Sequence, residues 1–131
     1  MTRDEVMLMT DEELRIKAAE LRGWKAIGIL NDGTPYGRPP AGWTPPIDDP
    51  NPCDSDNVWC LPDYPNDIAA AQELVECAID NGFMMKLKAW SGSLGTVWDC
   101  TFDRSDMDAN DSDEKAGRAT TRAFILAMDA E

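Results

Sequence analysis

The 131 residues, 43% of them hydrophobic and five of them tryptophan, suffice for one domain with a core of its own and exclude a disordered chain. A net charge of −13 repels nucleic-acid phosphates and anionic membranes, and the lack of any histidine removes the usual activating base of a serine or cysteine nucleophile. No run approaches the roughly 18 continuous apolar residues of a membrane span.

The opening Met1-Thr2-Arg3-Asp4-Glu5 is charged and no apolar segment follows it, so no signal peptide is read there and a cytosolic protein is expected. Residues 1–9 leave two readings open, an extension of the first helix or a loose arm. Thr10-Asp11-Glu12-Glu13 has the form of a capping box, with Thr10 as N-cap and Glu13 reaching back. Leu14, Ala18 and Leu21 follow at helical spacing, and Gly23 suits the left-handed position that ends a helix, which predicts a helix over 10–22. Ile27 and Ile29 alternate in a short strand candidate, Asn31-Asp32-Gly33 is turn chemistry, and Tyr36 falls on a returning strand.

All nine prolines lie between Pro35 and Pro65, so residues 34–62 read as a long proline-rich loop. Trp43 and Trp59 favour packing of that loop onto the core over a recognition loop carrying Tyr36, Trp43 and Trp59. The next helix is predicted over 65–80, with Pro65 in the first turn, Asp67 complementing the helix dipole, and Ile68, Ala71, Val75, Ala78 and Ile79 as its buried stripe, widened by Leu74.

A hairpin over 83–103 is expected to turn at Gly92-Ser93, with glycine at the position needing positive φ. That register sets Ser91 opposite Leu94, Leu87 opposite Trp98, Met85 opposite Cys100 and Phe83 opposite Phe102, and pairs Lys86 with Asp99 on the other face. The last helix is predicted over 112–128, capped by Asp111 or Ser112, with Ala116, Thr120, Ala123, Phe124 and Ala127 on one face.

Several patterns invite a chemical reading. Asp106-Met107-Asp108-Ala109-Asn110 resembles half a calcium loop, but Asp111 stands where the turn glycine belongs and Gly117 where a bidentate glutamate is needed. Asp54-Ser55-Asp56-Asn57 is weaker still. Cys53, Cys60, Cys77 and Cys100 form no CxxC pair and read as free thiols rather than as a disulfide framework or a zinc site. No cofactor or metal is implied, and no catalytic constellation is recognisable. Two binding surfaces remain. One is the acidic run with Asp99, Asp103, Asp106, Asp108, Asp111 and Asp113, suited to a basic partner. The other combines Lys86 and Lys88 with Tyr36, Trp43 and Trp59, suited to a small anionic nucleotide.

Three segments together resemble the phage ABA sandwich domain, a family of small bacteriophage and prophage proteins. They are Lys17-Ala18-Ala19-Glu20-Leu21-Arg22-Gly23-Trp24, then Pro62-Asp63-Tyr64-Pro65-Asn66-Asp67-Ile68-Ala69-Ala70-Ala71, and the hairpin followed by Arg118-Ala119-Thr120-Thr121-Arg122-Ala123-Phe124. The resemblance implies an α/β sandwich and a phage origin, and carries no site residues across.

The expectation is one α+β domain over 1–131, a small antiparallel sheet centred on the 83–103 hairpin and covered by about three helices. Its expected function is that of a non-enzymatic phage accessory protein in the host cytoplasm that binds and blocks a host protein, a counter-defence inhibitor facing a nucleic-acid-binding or defence-related partner. The alternatives are an oligomeric protein that sequesters a signalling nucleotide, and a virion or structural accessory protein.

Overall fold

The computed structural model describes residues 2–31, 33–41, 43, 59–93, 95–105 and 107–129. Leu94, Asp106, Cys53, the Asp54–Asn57 stretch and most of the proline-rich loop lie outside the described residues.

The chain opens with a short helix of its own, α1 (Arg3–Met7), rather than an extension of the next one. Thr2 and Glu5 form a capping box there, and Thr10 and Glu13 repeat it at the start of α2 (Asp11–Arg22). In α2 the Thr10 hydroxyl accepts from the Glu13 amide at 3.2 Å while the Glu13 carboxylate accepts from the Thr10 amide at 3.1 Å. Gly23 ends α2 at φ +114°, as its place after the last turn predicts.

β1 (Lys25–Ile29), β2 (Pro35–Arg38) and β3 (Trp59–Cys60) form an antiparallel sheet in the order β1-β2-β3. β2 occupies the centre with its proline at the first residue, where the missing amide costs least. Cys60 is disulfide-bonded, which corrects the expectation of free thiols throughout, whereas Cys77 and Cys100 are free.

The chain then turns through residues 61–67, where the amides of Asn66 and Asp67 both donate to the Asp63 carbonyl. Tyr64 and Pro65 are buried in this turn. Helix α3 runs over Ile68–Asp80, three residues later than predicted, because Asp67 caps it. The Asp67 side chain accepts from the Ala69 amide at 3.0 Å, and Pro65 belongs to the turn ahead. The buried stripe is Ala71, Leu74, Val75 and Ala78, the expected inner face without its two end isoleucines. Ile68 and Ile79, expected inside, are about half exposed.

The second sheet contains β4 (Met84–Gly92), β5 (Gly95–Arg104) and β6 (Met107–Asp113), antiparallel in that order. Gly92 pairs with Gly95, so the reversal lies between them and every predicted partner shifts by two. Leu87 faces Cys100, Met85 faces Phe102, Ala89 faces Trp98, and Lys88 rather than Lys86 lies across from Asp99. A two-residue shift preserves the side-chain faces, so the expected inward set survives a wrong register. The positive φ sits on Gly95 at +114°, which is why the reversal falls one position later.

β6 is the largest departure. Residues expected as an acidic loop and the cap of the last helix form an edge strand, paired from Trp98↔Asp113 to Arg104↔Met107. Helix α4 therefore starts late and covers Ala116–Asp129. It packs against β5 and β6 on one side and against α2 and α3 on others, with α1 touching it as well. Burial accordingly wraps most of its circumference: Ala119, Thr120, Thr121, Ala123, Phe124, Ile125 and Ala127 are all inside. Phe124 meets Phe102 of β5 edge-on at 6.4 Å. Gly117 lets α4 approach the turn, since a Cβ there would lie 2.8 Å from the carbonyl oxygens of Tyr64 and Pro65. The fold is thus a small α+β one, with two three-stranded sheets among the described residues in place of the single sheet expected.

Candidate binding surface

Alternation along β5 and β6 divides the acidic run between two faces. Outside, Asp99 accepts from Ser112 Oγ and Asn110 Nδ2, both at 2.7 Å, and these hydrogen bonds hold its carboxyl below the usual carboxylate range. Asp103 and Asp108 face each other across β5 and β6, both exposed. Inside, Asp113 is held at 3.2 Å by Arg118 and at 2.8 Å by Arg122. Asp111 is fully buried, with Arg3 and Arg122 each 3.9 Å away. Asp106 lies outside the described residues. The run is therefore not one continuous acidic surface.

The nucleotide-type grouping also separates. Lys86 and Lys88 are exposed on β4, with Met84 and Trp90 on the same face. Tyr36 stands on β2 of the other sheet, with Gly28 opposite it. Trp43 and Trp59 extend an aromatic cluster: Trp24 and Trp43 are 5.1 Å apart and Trp43 and Trp59 5.4 Å. The packing reading of these tryptophans is the one realised, with Trp24 buried and the other two half-buried.

The basic side chains are mostly engaged within the fold. Arg118 grips Asp11 with a two-pronged contact, Nε to Oδ1 at 2.9 Å and Nη2 to Oδ2 at 3.0 Å. Arg15 donates to the carbonyls of Leu61 and Pro62, fastening α2 to the turn. Lys17 pairs with Asp129 at 3.2 Å, Lys115 donates to Asn66 at 2.8 Å, and Arg104 lies over the Phe83 ring at 4.4 Å.

Two clefts flank Asp63 in the turn. One, about 280 Å³, lies between the start of α2 and the β1–β2 reversal, with Asp11, Glu12, Arg15 and Asp63 on its walls. The other, also about 280 Å³, opens between Trp43 and the first turns of α3, with Pro62, Ala69 and Ala70 as apolar walls and Asp63, Asp67 and Glu73 as polar ones. At its edge Arg22 Nε stands 3.1 Å from Glu73 Oε1, yet neither buried atom completes a hydrogen bond. Burial pushes the Glu73 carboxyl up, and Arg22 and Trp43 only partly oppose the shift. Composition could not point to this cleft, because Trp43 stands far in sequence from its other walls, which lie within residues 62–73.

No family model matches the chain, and neither does any curated protein or solved structure. Among the described residues, no helix is long and apolar enough to cross a membrane.

Proposed function

We propose that this chain is a non-enzymatic accessory protein that binds and blocks a basic host protein, acting in the host cytoplasm as a phage counter-defence inhibitor. The phage setting rests on the family resemblance alone. The observation that carries the binding reading is the fate of the charges. Arg15, Arg22, Arg118 and Arg122 are spent inside the fold, whereas Glu12, Glu13, Asp67, Glu76, Asp103, Asp108 and Glu114 are exposed. Among the described residues eleven acids are exposed against six bases, so a partner meets a surface of net negative charge. Opposed charge of this kind steers association and selects against acidic surfaces.

The test is retention of host-lysate proteins on the immobilised chain along a salt gradient. We expect a basic protein to bind at low salt and to be released steeply by about 0.5 M NaCl, where the screening length approaches a few ångströms. Retention indifferent to salt, or of an acidic protein only, would overturn the reading.

A further inference from the structure

We propose that the cleft between Trp43 and the first turns of α3 is the receptor for a single arginine side chain presented by the basic partner. This rests on the acidic-binding reading above and gives it a specific contact. An aromatic ring is one wall, and a guanidinium prefers to stack on such a face while its edge reaches carboxylates. Asp63 and Asp67 supply those carboxylates, and among the described residues no lysine or arginine is on the walls, Arg22 standing at the edge against Glu73.

Asp63 and Asp67 have capacity to spare. Asp67 spends Oδ1 on the Ala69 amide, and Asp63 accepts from Asn66 Nδ2 at 3.1 Å. Glu73 is already paired with Arg22, Nε to Oε1 at 3.1 Å, so it adds negative charge at the inner end of the cleft while Asp63 and Asp67 are the acceptors an incoming N–H would reach. The neighbouring cleft does not offer this. Its Asp11 is already held at both oxygens by Arg118, and Arg15 on its wall would repel a second cation.

The volume of about 280 Å³ matches one side chain rather than a drug-sized ligand. Pro62, Ala69 and Ala70 provide short apolar walls against which the methylene stem of an arginine can lie.

The experiment titrates the intact chain with N-acetyl-arginine methylamide, its lysine counterpart and its uncharged citrulline counterpart, following backbone and indole N–H resonances. The expected result is saturable shifts at Trp43, Ala69, Ala70 and Glu73 with the arginine probe, weaker ones with lysine and none with citrulline. Asp63→Asn and Trp43→Leu, each checked for an unchanged melting curve, should weaken the arginine probe about tenfold, the loss of one charge-assisted contact. Equal binding of citrulline, or no saturable shift with any probe, overturns the proposal. The same variants are then tested against the retained host protein. Partner affinity that is salt-sensitive but unchanged in both variants rejects the arginine receptor while leaving the acidic-surface reading standing. Arginine-probe binding without any basic partner rejects the reading and keeps the receptor.

Discussion

Asp111 and Asp113 stand two residues apart on the same face of β6 and meet opposite electrostatics. Asp113 receives hydrogen bonds from two arginines, whereas Asp111 is wholly buried with neither oxygen hydrogen-bonded. Burial raises the Asp111 carboxyl, and Arg122 and Arg3 oppose this incompletely. The folded protein therefore holds that proton more tightly than the unfolded chain does. The contribution to stability is complete below the ordinary carboxylate value and is lost as pH rises through the raised folded value. Asp11 is the reverse: the Arg118 hydrogen bonds lower it, so its contribution exists above the ordinary value and fades as pH falls through the lowered one. Asp111→Asn mimics the protonated form and should stabilise the protein at neutral pH by about 1 kcal/mol, with the gain vanishing by about pH 4. Thermal unfolding of parent and variant across that range checks it; a variant less stable at neutral pH would show that the Asp111–Arg122 pair is net favourable. Sequence alone cannot sort these two aspartates. Both read as members of one acidic run, and only the arginines of α4 and α1 divide them.

At the level of elements, legibility followed how local the determinants are. α2 carries its start, stripe and stop within a dozen residues, and it forms as read. β6 carries the opposite local signals, since aspartate, asparagine and serine favour turns and caps, and it is a strand because β5 offers a ladder on one side and α4 a face. The β4–β5 hairpin lies between these cases. Periodicity marks both strands and their inward faces, but two glycines three residues apart each fit a tight turn, and the local sequence does not say which carries the positive φ. Their backbones differ in a way that can be measured. Gly95 holds φ at +114° with open space around its would-be Cβ, while Gly92 has equal space and no such φ. Gly95→Ala should therefore cost about 1 kcal/mol by strain alone, and Gly92→Ala should stay within about 0.5 kcal/mol of the parent. Denaturant midpoints decide between them. The reversed order would place the strained residue at position 92 and restore the register in which Leu87 faces Trp98.

For the whole molecule, the distribution of charge makes salt act in opposite directions on folding and on binding. The fold class was legible because helix and strand periods are short-range signals. The candidate site was not, because the arginines that cancel acids and the cleft beside Asp63 both depend on contacts far apart in the chain, Arg118 with Asp11 and Trp43 with Glu73. Those internal pairs are shielded: Arg118, Arg122 and Asp113 keep 18%, 12% and 11% side-chain exposure, so added ions reach them poorly. The exposed carboxylates, by contrast, repel one another through solvent, and a net charge of −13 on a 131-residue chain makes that repulsion a standing cost of compactness. Raising ionic strength from about 0.01 M to 0.15 M shortens the screening length from about 30 Å to 8 Å, which removes mainly the repulsion. The melting temperature should then rise by a few degrees, the equivalent of about 1 kcal/mol for a chain of this size, while affinity for a basic partner falls over the same range. Paired calorimetric melts and binding titrations in matched buffers measure both slopes. A melting temperature that falls with salt would mean that exposed ion pairs, and not exposed repulsion, dominate the field.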